Sequence, residues 1–113
     1  MFSKLGKNTE FQKVYKTGKS KANKYLVMYI KENGLERNRI GISVSKKVGN
    51  SVVRHRVTRL IRESYRLHES VFNSGLDIVV VARSAAAQAD FEKIESALLH
   101  LAKLHKIIKV FFY

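Results

Sequence analysis

The stretch that decides the fold is Lys46–Arg66, KKVGNSVVRHRVTRLIRESYR, which contains seven basic residues, five of them arginines, and a single acid. Read as a helix from about Asn50, at about 100° per residue, the stretch divides into two faces. The apolar face contains Val53, Val57, Leu60, Ile61 and Leu67. The opposite face contains His55, Arg59, Arg62 and Arg66, with Arg54 and Arg56 at its edges. The sequence therefore predicts a helix that packs on a core and presents a basic surface to a polyanion.

The charge pattern of this helix differs from that of an ordinary solvated helix. Such a helix usually mixes charges at i,i+4 spacing, whereas Arg62 and Arg66 repel each other at that spacing and only Arg59–Glu63 is predicted to pair. Arginine also offers a planar, bidentate fork for phosphate, which lysine lacks. Two lysines and the backbone N–H groups just ahead of the helix add further donors for an anion. The pattern favours a binding surface over a merely solvated one.

The composition points to the same kind of partner. The chain has 113 residues, no cysteine and a formal net charge of +13, and its length predicts a single domain over residues 1–113. Residues 1–62 hold 16 lysines and arginines against 3 acids, whereas residues 63–113 hold 6 of each. Because such self-repulsion destabilises a compact chain unless a polyanion neutralises it, we expect a nucleic acid as partner.

No segment of the sequence has the character of a membrane span or a signal peptide. The longest apolar runs fall short of the roughly 18 residues that a membrane span needs. The first residues, MFSKLGKNTEF, are polar. We therefore expect a cytoplasmic protein without a membrane partner.

A short helix is predicted before the basic stretch, from about residue 9 to about residue 16. Thr9 and Gln12 have the spacing of a capping box, and Gly18 is expected to end the helix. Phe11 and Tyr15 lie four residues apart on its apolar side. They are either core residues or, on a lysine-rich helix, a surface on which bases stack. The residue pattern alone leaves both interpretations open.

Two alternating segments follow this helix and predict strands. In residues 25–32 one face is purely apolar and predicted to be core: Leu26, Met28 and Ile30. The other face is mixed and predicted to be half exposed: Tyr25, Val27, Tyr29 and Lys31. In residues 39–45 the outward face carries Gly41 and two serines, so that something can approach the sheet closely there, or a neighbouring loop can fill the space.

The remaining chain predicts one more strand and one more helix. Residues 77–82, DIVVVA, are typical of an interior strand covered on both faces. A packing helix is predicted from about Asp90, with apolar residues at helical spacing as far as Ile108. The tail IIKVFFY is expected to pack back onto the body. With a short edge strand at 19–23, the order αβββαβα indicates an α/β two-layer sandwich, with one layer of helices against a small sheet.

The sequence predicts no catalytic centre and no metal site in this chain. The acids form no convincing pair, and His68 falls on the apolar side of the basic helix, where it is expected to be a core residue. His100 and His105 are five residues apart, which is a poor spacing for sharing a helix face. No metal-ligand, nucleophile or phosphate-loop motif is present.

The basic stretch resembles the motif of the bacterial ribonuclease P protein family. The similarity rests on Lys46–Arg56, KKVGNSVVRHR, followed by RLIRE at 59–63. It extends to EFQKVYKTGKS at 10–20, GISVS at 41–45 and VAR at 81–83, and so spans roughly residues 5–105. The central motif is specific to that family.

The resemblance implies a protein subunit that binds a large catalytic RNA and assists endonucleolytic removal of the 5′ leader of precursor tRNA. The RNA partner would supply the reaction centre and Mg²⁺, so no catalytic residue is expected here. It also implies a left-handed crossover between two parallel strands, although most such crossovers are right-handed. The residues implied to bind the catalytic RNA are Lys46, Lys47, Asn50, Arg54, His55, Arg56, Arg59, Arg62 and Arg66. The residues implied to bind the leader are Phe11, Tyr15, Val27, Tyr29 and Lys31.

Two positions depart from the family motif. The usual Arg-Asn-Arg reads Arg54-His55-Arg56 here, and a common lysine is Thr58. Histidine keeps hydrogen-bonding capacity, so we expect binding to survive, but the role of the asparagine does not transfer to His55. The alternative functions are a structural RNA-binding module, such as a ribosomal protein, and a DNA binder that places the basic helix in a major groove.

Overall fold

The computed structural model describes residues 3–109. Within that range the chain forms five strands and three helices: β1 (Ser3–Lys4), α1 (Asn8–Thr17), β2 (Lys19–Ala22), β3 (Leu26–Glu32), β4 (Arg39–Ser43), α2 (Ser51–His68), β5 (Leu76–Ala82) and α3 (Phe91–Leu104). Short 3-10 turns cover Glu69–Val71 and Ser84–Gln88. The predicted order αβββαβα is confirmed, and the two-residue β1 precedes it without having been predicted.

The strands form one mixed sheet in the order β1-β4-β5-β3-β2. β1 pairs with β4 and β4 with β5 in parallel, whereas β2–β3 and β3–β5 are antiparallel. β5 therefore lies in the middle, as its apolar sequence predicted. The parallel neighbours β4 and β5 are joined through α2, and the handedness of that crossover stays a prediction.

Helices lie on both faces of the sheet because β5 is apolar on both. Ile78 and Val80 face the main core, which α2 and α3 cover with residues such as Ile61 and Leu98. Val79 faces the other way and packs with Val14 of α1 and with Leu5. The predicted helical layer is thus formed by α2 and α3. α1 lies by itself on the opposite face, where the sequence placed no helix.

The ends of α1 differ in detail from the prediction. The helix begins after Lys7, whose backbone N–H donates to Glu10 Oε1 at 3.3 Å, so the predicted Thr9–Gln12 capping box is wrong. Gly18 ends the helix as predicted, but with an extended φ of −80°. Glycine is needed there for space, since an added Cβ would lie 2.5 Å from Val14 O and 2.6 Å from Ile30 O.

The C-terminal segment leaves the helical path earlier than its periodicity predicted. Asp90 caps α3 by accepting a hydrogen bond from the Lys93 N–H at 2.9 Å. The helix ends at Leu104, and Lys106 has a φ of 59°, which turns the chain away. Ile108 is therefore not a helix residue but forms an isolated β-bridge with Phe72. Residues 107–109 do pack back on the body, and the rest of the IIKVFFY tail lies outside the described residues.

Candidate nucleic-acid interface

α2 has the two faces that its sequence predicted. Asn50 caps it by accepting a hydrogen bond from the Val53 N–H at 3.0 Å on Oδ1. Val57 and Ile61 are fully buried against the sheet and α3. Leu67 is an exception, because it lies in the last turn and is 52% exposed. The exposed part of the opposite side, which we call the basic surface, comprises Lys46, Lys47, Asn50, His55, Arg59, Arg62 and Arg66.

The one acid on α2 pairs differently from the prediction. Glu63 accepts a hydrogen bond from Arg66 Nε at 3.1 Å on Oε2 and contacts Arg66 Nη2 through Oε1, so the predicted Arg59–Glu63 pair is wrong. Both spacings lie within reach on a helix surface, and a Glu that precedes its cation along the helix is the better arrangement. The hydrogen bond from Arg66 lowers the pKa of Glu63. Arg59 and Arg62 consequently make no ion pair within residues 3–109.

Two of the predicted RNA-binding arginines are partly buried. Arg56 reaches across to the turn after β5, where Nη1 donates to Ala89 O at 3.1 Å and Nη2 donates to Ala87 O. Its fork is therefore used to hold the chain between β5 and α3 against α2. Arg54 is also partly buried, and its Nε makes no hydrogen bond within the described part of the chain. These two were the residues at the edges of the basic face in the sequence.

The two departures from the motif lie in different environments. His55 is exposed on the basic surface. Thr58 is half-buried, and its hydroxyl donates to Arg54 O one turn earlier at 2.8 Å. The Thr58 side chain is thus satisfied by its own helix, whereas His55 faces solvent.

Three aromatic side chains meet on the α1 face of the sheet. The ring centroids of Phe11 and Tyr15 lie 6.4 Å apart, and those of Tyr15 and Tyr29 lie 4.9 Å apart with the planes at 77°. All three rings are half-buried beside the small cluster around Val14 and Val79. Because each ring is partly covered and partly open, the two interpretations of Phe11 and Tyr15 are not exclusive. We call this surface the aromatic cleft.

Gly41 explains how close α1 comes to the sheet. A Cβ built on Gly41 would lie 2.6 Å from Cζ of Phe11 and 3.2 Å from Cβ of Leu5. The space that the sequence predicted above β4 is therefore filled by the ring of Phe11 from α1, with Leu5 of the loop after β1 beside it. The position of that ring depends on the absence of a side chain at Gly41.

The register of the strands shows how the cleft continues beyond the rings. Val27 pairs with Val81, and Val81 pairs with Ser43, so these three form the next row of the sheet. All three are half-buried. Val27 was predicted as a leader contact and Ser43 as part of the small outward face of β4, whereas Val81 was assigned only to an interior strand. The alternation that would have revealed Val81 is hidden in the continuous apolar run of β5.

Lys31 lies at the opposite end of the cleft from Val27. It pairs in register with Asp77, one row beyond Tyr29. The five predicted leader residues thus share one face of the sheet, with Phe11, Tyr15 and Tyr29 at its centre. Val27 and Lys31 lie on either side of them.

A charged network that the sequence did not reveal ties α1 to the sheet. Arg39 donates to both oxygens of Asp77 at 2.7 Å and, through Nη1, to Glu10 Oε2 at 2.5 Å. Asn33 also donates to Asp77 Oδ1 at 3.0 Å. Burial raises the pKa of Asp77, but the hydrogen bonds from Arg39 and Asn33 outweigh it and hold the pKa below its ordinary value. Because Glu10 is next to Phe11 on α1, this network holds the part of α1 that carries Phe11 against the sheet.

The described residues offer little for metal binding or membrane insertion. Within residues 3–109, no three His, Cys, Asp or Glu side chains are grouped so that they could hold a metal ion. The helices of this part of the chain are too short or too polar to cross a membrane. His68, predicted to be a core residue, is instead half-buried, with Nε2 2.8 Å from Glu95 Oε2.

Comparison with known proteins gives one consistent result. A family model described as Ribonuclease P matches residues 2–106. The chain is 65% identical over 108 residues to the ribonuclease P protein component of Lachnoclostridium phytofermentans, covering 96% of this chain and 93% of that protein. The solved structure of the Staphylococcus aureus RNase P protein matches with a TM-score of 0.87 at 39% identity, covering 94% of this chain and 97% of the other. For the Thermotoga maritima protein the TM-score is 0.83 at 33% identity, covering 90% and 96%.

Proposed function

The chain belongs to the ribonuclease P protein family, and from this premise we propose that its basic surface docks the catalytic RNA while its aromatic cleft receives the 5′ leader of precursor tRNA. The protein is the component of a ribonucleoprotein that matures the 5′ ends of tRNA, and the catalytic role lies in the RNA. What the residues of this chain contribute is binding: positioning of the two RNAs and neutralisation of their charge.

The exposure and lack of partners of two arginines support docking through α2. Arg59 and Arg62 are exposed on a helix whose other face is locked into the core, so their positions are fixed relative to the fold. Arginine binds phosphate through two parallel N–H groups, and neither guanidinium is neutralised by an acid among residues 3–109. This is the single observation that carries the proposal for the catalytic RNA. Arg56 contributes by holding the fold together and not by contacting phosphate.

Leader binding in the aromatic cleft is supported by its three half-buried rings and by the half-buried row of strand residues beside them. A single-stranded RNA is recognised mainly by bases stacking on aromatic side chains. Phe11 and Tyr15 both pack on the buried cluster around Val14, and Tyr15 also contacts the ring of Tyr29, so the two rings are already partly ordered before a base binds. The row of Val27, Val81 and Ser43 extends this surface along the sheet.

We assign the Mg²⁺ of the reaction to the RNA partner. The RNA would bring its phosphates and Mg²⁺ together, and this chain would reduce the repulsion between the two RNAs by its net charge of +13. The relatives that the chain matches are bacterial proteins, and we propose the cytoplasm as its location.

Leader-dependent cleavage tests the proposed function. Precursor tRNA is incubated with its cognate ribonuclease P RNA at low Mg²⁺, with and without the protein. We expect the protein to raise cleavage strongly and to raise it more for a substrate with a long leader than for one with a single leader nucleotide. Equal cleavage with and without the protein would refute the function. Stimulation that is indifferent to leader length would refute only the role of the aromatic cleft.

A further inference from the structure

A groove crosses the edge of the sheet between α1 and α2, at the point where β1 ends. Its volume is about 720 Å³, within the range of roughly 300–1,000 Å³ that is usual for ligand sites. Leu5, Phe11, Ile40 and Ile42 line it, with Lys4 and Arg62 among the residues at its sides. The ring of Phe11 belongs both to this groove and to the aromatic cleft, so the two sites are neighbours.

The groove contains part of a strand edge that β1 leaves unpaired. β1 pairs with β4 only at Arg39 and Ile40, and within residues 3–109 the backbone hydrogen bonds along this edge end with Leu5 N to Ile40 O at 2.8 Å. In a parallel ladder every second residue directs both its N–H and its C=O to the same neighbour. The peptide groups of Ile42 therefore face the open edge, and they offer one donor and one acceptor beside an apolar wall.

The positive charge of the groove favours an anionic ligand. Lys4 and Arg62 are its charged lining residues, and neither forms an ion pair with an acid in the described part of the chain. An apolar lining that includes an aromatic ring, a peptide donor and acceptor, and two cations together match a base, its hydrogen-bonding edge and its phosphates. An extended peptide would also use the strand edge, but it would have no need of both cations.

We propose that this groove binds one unpaired nucleotide of the catalytic RNA, with the base against Phe11 and Ile42 and the phosphates on Lys4 and Arg62. The inference rests on the proposed function, since it takes α2 as the RNA-docking helix. The catalytic RNA is favoured over the leader because Arg62 belongs to the basic surface, which makes the groove continuous with that interface. The groove would thus fix the catalytic RNA at a second point besides the basic surface, between α2 and the start of α1.

Two variants and one matched control test the groove. Gly6 also lines it, and a Cβ added there meets nothing within 4 Å, so Gly6→Leu starts its side chain in open space and adds bulk to the groove. Lys4→Ala removes one of the cations. Lys7→Ala is the control, because Lys7 is equally exposed and close in the chain but does not line the groove.

The readouts are the Kd for ribonuclease P RNA by filter binding and chemical probing of base edges in the complex. We expect Gly6→Leu to weaken binding roughly fivefold to a hundredfold, as for one lost base contact. Lys4→Ala should also weaken binding, as for one lost phosphate contact, while Lys7→Ala changes the affinity less than either. One nucleotide that the wild-type protein protects should become reactive with Gly6→Leu and stay protected with Lys7→Ala.

Unchanged affinity of both groove variants would overturn the inference, and so would a defect confined to the KM of leader-bearing precursor tRNA, which would make the leader the occupant. If Gly6→Leu lowers the melting temperature, the Lys4→Ala result decides alone. Failure of the wild-type protein to bind the RNA would instead refute the proposed function, so the two failures are distinguishable.

Discussion

Gly41 shows how a single residue sets the shape of the aromatic cleft. The ring of Phe11 occupies the space where a side chain at this position would be, 2.6 Å from the built Cβ. Gly18 is needed for a different reason, because its neighbours are the backbone carbonyls of Val14 and Ile30. A ring can rotate away from a new methyl group, whereas a backbone carbonyl in a helix or strand cannot. Gly41 therefore controls the position of the Phe11 ring, whereas Gly18 is required for the backbone packing at the end of α1.

Gly41→Ala is expected to impair leader binding more than stability. The displaced Phe11 ring should cost up to roughly 1–3 kcal/mol of leader binding, with a loss of about 1 kcal/mol in the free energy of unfolding. The measurement is the ratio of KM values for substrates with long and minimal leaders, together with urea unfolding. Ser96→Ala, an exposed change on α3, which covers the other face of the sheet, is the control. Gly18→Ala should reduce stability more than Gly41→Ala, and an unchanged KM ratio for Gly41→Ala would contradict the role of the ring.

Asp77 predicts how the stability of the fold responds to acid. Its pKa lies below the ordinary value of 3.8, so the carboxylate favours the folded state above about pH 4. That contribution is lost as the pH falls through the lowered pKa of the folded state. Asp77→Asn should therefore reduce the free energy of unfolding by about 1.5–3 kcal/mol at pH 7, and the difference from wild type should shrink below pH 3.8. Urea unfolding at pH 7, 5 and 3 measures this, and a difference that grows in acid would contradict it.

At the scale of elements, α2 divides its arginines between two tasks. Arg59 and Arg62 point to solvent, whereas Arg56 is bound to the carbonyls of Ala87 and Ala89. The hydrogen bonds of Arg56 fix α2 to the segment that connects β5 and α3. α2 can do both because Arg56 lies at the edge of the basic face, next to the side of the helix that packs on the core, whereas Arg59 and Arg62 lie within the exposed face.

Arg59→Ala and Arg56→Ala should therefore separate binding from stability. Arg59→Ala is expected to leave the free energy of unfolding within about 0.5 kcal/mol of wild type and to reduce the slope of log K against log salt by about one unit. Arg56→Ala should lower the free energy of unfolding by about 1–3 kcal/mol with little change in that slope. Filter binding at several salt concentrations and urea unfolding provide the data. The opposite assignment of the two effects would show that Arg56 contacts phosphate.

Across the whole molecule, the charge is distributed unevenly along the chain. The excess of +13 lies in residues 1–62, which contain α1, β4 and the basic half of α2, while residues 63–113 are balanced. The β5–α3 half of the chain supplies much of the main core. Residues 1–62 therefore carry the positive charge that repels itself, and β5 and α3 supply much of the core that offsets this repulsion.

This distribution predicts opposite effects of salt on the free protein and on its complex. Salt should raise the melting temperature of the free protein, because it screens self-repulsion. Ribonuclease P RNA at a hundredfold its Kd should stabilise the protein by about 2.7 kcal/mol, and salt should reduce this effect by weakening binding. Thermal unfolding with and without RNA at low and high salt is the measurement. A free protein that salt destabilises would contradict the prediction.

The sequence by itself determined the features that depend on local periodicity. The two faces of α2 and the alternation of β3 follow from the 3.6-residue and 2-residue repeats, and the central place of β5 follows from its continuous apolar run; the structure has all three. The family followed from a contiguous motif. The sequence did not determine which arginine pairs with Glu63, because Arg59 and Arg66 are both within reach of it on the helix surface.

Only the tertiary structure decided which residues from distant parts of the chain meet. The covering of the second sheet face by α1, the Phe11 ring above Gly41, the Arg39–Asp77–Glu10 network and the anchoring of Arg56 join positions about 30 or more residues apart. No periodicity encodes such pairs, because they arise when elements pack and each buried polar group must find whichever partner the packing brings near. The sequence thus determined that a basic helix exists and that Phe11 and Tyr15 lie on one side of α1, and the packing decided which of these side chains remain exposed.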